Sequence, residues 1–161
     1  MNTKRVLVPL DGSELAEAAL TAAVDLARPA GGTVILVRAA QSRVRPGVDP
    51  VTAQIEVVQD AELYLAAVKD RVAKQGVQDV QTAVWYGPAA SAIVDAVKLY
   101  KADLIVMSSH GRSGVGRLIF GSVAESVLRG TTVPIFLLRS AGAPIERPAG
   151  SAEPRHAEAL R

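Results

Sequence analysis

Five short aliphatic runs recur along the chain, each handing over to a stretch with helical periodicity, and this alternation restricts the fold more than any other feature. Val6 to Leu10, Val34 to Ala40, Val80 to Tyr86, Leu104 to Ser108 and Pro134 to Leu138 read as strands. They are apolar at nearly every position rather than every second one, as strands buried on both faces require. After the first run, Asp11-Gly-Ser-Glu14 offers a capping-box start for a helix through about Arg28, with Leu15, Ala18, Ala19, Ala22, Ala23 and Leu26 on its apolar face. Pro29 and Gly31-Gly32 end it. A variable loop through Pro46 and Pro50 precedes a long amphipathic helix from about Val51 to Gln75, which stops at Gly76. Ala89 to Tyr100 and Ser122 to Arg129 supply the last two helices, and no internal repeat is present. Strands alternating with helices imply an α/β domain: one five-stranded parallel sheet covered on both faces, with right-handed crossovers. In such a sheet ligands sit beyond the carboxyl ends of the strands, where the strand order reverses.

The loop that follows the fourth run carries the most chemistry. Met107 to Val123 holds four glycines together with Ser109, Arg112, Arg117 and Ser122 as potential phosphate donors. Glycines let backbone N–H groups approach an anion, and Gly121-Ser122 opens a helix whose N-terminus favours negative charge. The alternative is a long strand-to-helix turn, with glycines for positive φ and a serine N-cap. Two stricter motifs are not met. A Walker loop needs Lys and Ser/Thr after its last glycine, but Gly116 is followed by Arg117 and Leu118. The dinucleotide fingerprint fails because Ile119 stands three residues after Gly116.

Composition excludes several classes. A chain of 161 residues that is 49% hydrophobic can bury a sizeable core, and its scarcity of aromatics leaves Val, Leu, Ile and Ala to build it. There is no cysteine, hence no disulfide and no thiolate chemistry. Eighteen basic against sixteen acidic residues give a net charge of +2, too small to argue for nucleic acid as a partner. The densest basic cluster, Arg38, Arg43 and Arg45, lies in a Pro/Gly-containing loop and reads as solvated or anion-facing. The apolar run behind Lys4 and Arg5 is too short for a signal peptide, and no segment approaches the ~18 apolar residues of a membrane span. The expectation is a cytoplasmic protein with no membrane partner.

The loop resembles the nucleotide-binding signature of universal stress proteins, G-x2-G-x9-G-[ST], here occupied by Ser108, Gly111, Gly121 and Ser122 with serine at the first glycine. The resemblance runs over residues 3 to 139, through "RVLVPLDGSELAEAAL", "TVILVRAA", "YGPAASAIVDAV", "ADLIVMSSHGRSG" and "VPIFLLR". It implies a Rossmann-like domain with strand order 3-2-1-4-5, ATP held with Mg²⁺ in the crevice after strands 1 and 4, and a homodimer formed through Pro134 to Leu138. The candidate cofactor-binding set is Pro9, Leu10, Asp11, Ala39, Met107, Ser108, Ser109, His110, Gly111, Arg112, Gly121, Ser122 and Val123. Within it, Pro9 and Leu10 pack on the nucleoside, the Ala39 backbone pairs with adenine, and Gly111, Arg112, Gly121, Ser122 and Val123 surround the phosphates. Asp11 is the candidate Mg²⁺ ligand or ribose contact, its alternative being a helix cap.

No catalytic residue is assigned. His110 has no nucleophile and orienting acid beside it in the sequence and reads as packing on the sheet end; His156 lies in the tail. Trp85 and Tyr86 read as packing residues. Residues 1–139 form the expected domain, and 140–161, rich in Ala, Pro, Gly, Glu and Arg, an expected flexible tail. The function implied is a nucleotide-sensing stress-response dimer. The alternatives are a family member that binds no nucleotide and acts through its dimer surface, or a slow ATPase.

Overall fold

The computed structural model describes residues 4–41, 47, 49–109 and 121–139. Its elements are β1 Arg5–Pro9, α1 Glu14–Glu17, α2 Ala19–Ala27, β2 Thr33–Ala40, α3 Pro50–Ala73, β3 Asp79–Tyr86, α4 Ala89–Tyr100, β4 Leu104–Ser108, α5 Ser122–Gly130 and β5 Ile135–Leu138. The five strands form one sheet of order β3-β2-β1-β4-β5, and every pairing is parallel. The expected α/β class, strand number and strand order are all found.

Side-chain alternation along the strands divides the core in two. Val6, Val8, Val34, Leu36 and Val106 face α1, α2 and α3, where Ala19, Ala23, Leu65, Val68 and Val72 meet them. Leu7, Ile35, Val37, Ile105 and Met107 face the other way, onto Ile93, Ala96 and Val97 of α4 and Ala124 and Val127 of α5. Central strands buried on both sides cannot alternate apolar with polar, which explains the continuous aliphatic runs. β5 lies at one edge. Its Ile135 and Leu137 pack on the α4/α5 core and Leu138 on the other, while Phe136 is 48% exposed.

The first helix is not continuous from Glu14 to Arg28. It breaks at Ala18, whose N–H is shared between the carbonyls of Glu14 and Ala16, and it ends in a 3-10 turn over Arg28–Ala30. Ala18 keeps right-handed helical angles, so the apolar period runs through the break unchanged. The long helix starts one residue early, because Asp49 caps it by accepting from the Thr52 N–H at 2.8 Å and Pro50 suits the first helical position. That same bond holds the Asp49 carboxyl below its ordinary range. Trp85 packs against the α4/α5 core as expected, whereas Tyr86 is 51% exposed. Arg43, Arg45, His156 and the expected tail over 140–161 lie outside the described residues.

The amino end of the sheet is tied shut. Asp103 Oδ2 accepts from the N–H groups of Lys4 and Arg5 at 2.9 and 3.1 Å, and Thr33 Oγ1 donates to Asp79 Oδ2 at 2.7 Å. Gly32 enters β2 between two backbones, and a Cβ placed there would stand 2.8 Å from the Lys4 carbonyl oxygen and 3.3 Å from that of Ala27. Neither carbonyl can yield, since each accepts a backbone hydrogen bond, from Thr33 N–H and Gly32 N–H. Gly32→Ala is therefore expected to destabilise the fold by about 1–3 kcal/mol, the usual cost of overpacking. Chemical denaturation checks this, and an unchanged midpoint would contradict it.

Candidate functional site

The carboxyl end of the sheet is open. A cleft of about 300 Å³ lies where β1 and β4 part, walled by the β1–α1 turn, the ends of β2 and β4, and the first turns of α4 and α5. Ten of the thirteen candidate residues line it: Pro9, Leu10, Asp11, Ala39, Met107, Ser108, Ser109, Gly121, Ser122 and Val123. His110, Gly111 and Arg112 lie outside the described residues. Ala16, Val37, Ala89, Ile93 and Ala124 line it as well and were not anticipated. Val37 was within reach of the sequence, because the period of two in β2 places it on the same face as Ala39. The alanines offer no chemistry by which to be found.

Backbone bonds fix the walls. Leu10 N–H donates to Val37 O at 2.8 Å, which hangs the β1–α1 turn on β2. Ser109 N–H donates to Leu138 O, and Gly121 N–H to Ser109 O, each at 2.7 Å, so the start of α5 is pinned to the end of β4. Ser109 is 1% exposed.

Asp11 does not cap α1 directly. Its Oδ1 accepts from Ser13 N–H at 2.9 Å and from Ser13 Oγ at 2.6 Å, and Ser13 Oγ in turn accepts from Ala16 N–H at 3.1 Å. Ser13 is the N-cap, with Glu14 at the first helical position, so the reciprocal carboxylate contact of a capping box is not made. The Asp11 carboxylate acts one step back, orienting the hydroxyl that caps.

The serine N-cap expected for α5 is also displaced by one residue. Gly121 is the N-cap, at φ −63° and ψ 149°, and Ser122 occupies the first helical position. Glycine has no side chain to accept from the first turn, and the first intrahelical bond runs from Glu125 N–H to Gly121 O. The N–H groups of Ser122, Val123 and Ala124 precede that bond, on residues that line the cleft. Gly121 is extended rather than left-handed, so what glycine provides here is an uncapped helix start, not a positive φ. Ser108 is the last residue of β4, in register with Leu138, and Lys101 is the non-glycine residue with positive φ among the described residues. Serine at the first signature position therefore carries no left-handed strain.

The cleft combines apolar and polar lining. Val37 and Ala39 of β2, Ile93 of α4 and Met107 of β4 give apolar lining, Ser108, Ser109 and Ser122 bring hydroxyls beside the α5 N-terminus, and Asp11 stands on the turn after β1. Among the described residues no group of three His, Asp or Glu side chains can hold a metal ion. Asp11 offers a cation a single carboxylate, whose Oδ1 already accepts from Ser13. No helix among the described residues is long and apolar enough to cross a membrane.

A family model described as the universal stress protein family matches residues 2–139. A putative universal stress protein of Staphylococcus aureus is 30% identical over 146 residues, covering 89% of this chain and 88% of its own. A universal stress protein UspA from Lactobacillus plantarum superposes with a TM-score of 0.74 at 25% identity, covering 85% of this chain and 98% of its own. A universal stress protein solved in complex with cAMP shares the fold, with a TM-score of 0.68 at 23% identity over 88% of this chain and 100% of its own.

The cap geometry is open to direct measurement. Ser13→Ala leaves the Ala16 N–H without its acceptor and is expected to cost about 1 kcal/mol. A thermal melt indistinguishable from wild type would show that the Asp11–Ser13–Ala16 chain does not hold the turn.

Proposed function

The chain belongs to the universal stress protein family, and from that membership we propose that the cleft binds an adenine nucleotide and that the protein works as a nucleotide-sensing dimer in the cytosolic stress response. The observation that carries the proposal is the meeting of an apolar wall and an uncapped helix N-terminus inside one cleft. A nucleotide has the matching polarity. Its base lies against Val37, Ala39 and Ile93, with the Ala39 backbone pairing to adenine. Its sugar crosses the end of β1 at Asp11, and its phosphates take the N–H groups of Ser122 to Ala124 together with the Ser122 hydroxyl. The Arg112 and Gly111 contacts belong to the same reading. Asp11 would hold either a ribose hydroxyl or a Mg²⁺ ion that neutralises the phosphate charge. The relative solved with cAMP supports an adenine ligand.

The output is binding rather than fast chemistry. Asp11 is the ionisable side chain among the described cleft-lining residues, its Oδ1 is occupied by Ser13, and no lysine takes the Walker position. Phosphate release is expected to stay well below ~1 per second, the low end of ordinary enzyme turnover. A rate near that value would identify a slow ATPase instead.

ATP is expected to bind in a Mg²⁺-dependent manner, with ADP weaker, and Ser122→Ala to lose roughly 1.5–3 kcal/mol, the worth of one charge-assisted hydrogen bond. Calorimetry at millimolar ATP and Mg²⁺ that records no heat would reject the proposal in favour of a family member acting through its surface alone. Since Ser108 carries no backbone strain, Ser108→Gly is expected to tighten ATP only by relieving crowding. A loss of affinity would make the Ser108 hydroxyl a ligand contact.

The exposed Phe136 on edge strand β5 favours dimerisation through that strand, because an open apolar edge otherwise templates aggregation. Phe136→Lys is expected to yield monomers by light scattering. A wild-type monomer at micromolar concentration would contradict the dimer.

A further inference from the structure

Arg38 sits between two cleft-lining residues of β2, Val37 and Ala39, yet its side chain leaves by the opposite face of the sheet. Its guanidinium lies 4.7 Å from the centroid of the Tyr64 ring on α3. It also lies against the β1–α1 turn, where a Cβ on Gly12 would be 3.4 Å from Arg38 Nη2. Gly12 has φ +85°, a conformation that leaves this position to glycine.

The stack is itself held in place. Tyr64 Oη donates to Glu17 Oε1 at 2.8 Å, and Arg71 Nη2 donates to Glu17 Oε2 at 2.8 Å. Burial, followed by the Glu17 hydrogen bond and charge, pushes the Tyr64 hydroxyl well above its ordinary range, so it remains a donor across the physiological span. Glu17 is thus engaged by Tyr64 and Arg71. Among the described residues no carboxylate or carbonyl accepts from Arg38. A guanidinium carries five N–H donors in a rigid fork matched to phosphate, and here the fork is oriented by its stack on Tyr64 without a carboxylate or carbonyl acceptor among the described residues.

The position of this fork follows the order of the sheet. Along the crevice β2 comes first, then β1, then β4, so a nucleotide with its base at Ala39 and its 5′-phosphates at α5 carries its sugar over the end of β1. The turn there is Asp11-Gly12, and Arg38 lies just beyond the glycine. We infer that Arg38 is an anion subsite of the cleft, placed to receive a second phosphate borne on the ribose, so that adenine nucleotides with both a 5′-phosphate and a 2′- or 3′-phosphate are preferred ligands. The inference rests on the nucleotide reading of the cleft and names a ligand class within it. Asp11 and Arg38 then divide the sugar edge, the carboxylate taking a free hydroxyl and the guanidinium the phosphate.

The test is calorimetry on the full chain with AMP, adenosine 2′,5′-bisphosphate, adenosine 3′,5′-bisphosphate and inorganic phosphate. One of the two bisphosphates is expected to bind wild type about tenfold or more tightly than AMP, as one added charge-assisted hydrogen bond provides. Which of them gains identifies the ribose position. In Arg38→Met, which keeps an apolar stem on Tyr64, that ratio is expected to fall to about one. In Arg38→Lys, which keeps the charge but not the fork, it is expected to fall between the two. Neither bisphosphate exceeding AMP in wild type would overturn the subsite while leaving the nucleotide reading intact, as would an advantage that survives in a folded Arg38→Met. If AMP and both bisphosphates all fail to bind, the reading of the cleft falls and the subsite with it. The wild-type comparison needs no variant to fold, and thermal melts show whether each variant does.

Discussion

Burial of β1 on both faces is the constraint from which the rest of the structure follows. Val6, Leu7 and Val8 are each 0% exposed, with β2 on one side and β4 on the other. The chain leaves β1 toward the face covered by α1, α2 and α3, and leaves β4 toward the face of α4 and α5. The helices that follow the two strands therefore lie on opposite faces of the sheet, as at a point where strand order reverses. At the amino end Asp103 ties the start of β1 to that of β4. The open cleft at the carboxyl end follows from topology, and the residues around it decide what it can hold.

Those residues supply contrast rather than reactivity. Among the described residues the polar lining includes a helix start that glycine leaves without a side-chain cap, together with small hydroxyl side chains. Backbone N–H groups of this kind favour an anion without bringing a base or a nucleophile to it. Val37, Ala39 and Ile93 supply apolar side chains that suit a flat ring and carry no hydrogen-bonding group. A lining of this kind suits holding an anion-bearing ligand, which is what the proposed nucleotide binding rests on, and the proposed Arg38 subsite would extend it.

Much of this was legible in the sequence, because the strands are dictated by a strong physical demand. Residues buried on both faces must be apolar, so the runs of the central strands β1 and β4 stand out most, and the turn after the first run lines the cleft together with Ser109 and Gly121, the described residues that flank the fourth loop. Finer features depend on backbone angles that residue types do not reveal. Ala18 interrupts the first helix while keeping helical angles, so no break in the apolar period marks it. Gly121 rather than Ser122 takes the cap position, since either residue satisfies the spacing. Ser108 differs from the signature without left-handed strain, a distinction that pattern matching cannot draw. Ala16 and Ala89 shape the cleft by being small, and smallness carries no motif. Arg38 was read as one member of a basic cluster, whereas its stacking on Tyr64 comes from the packing of α3 against β2.

The central claim is that a nucleotide occupies this cleft with its phosphates on the first turn of α5. Amide chemical shifts of the isotopically labelled protein, followed as ATP and Mg²⁺ are added, test it most directly. Saturable shifts at Ser122, Val123 and Ala124, joined by Asp11 and Ala39, are the predicted result. Saturable shifts confined to residues outside the cleft, or none at those five amides at millimolar ATP, would contradict it.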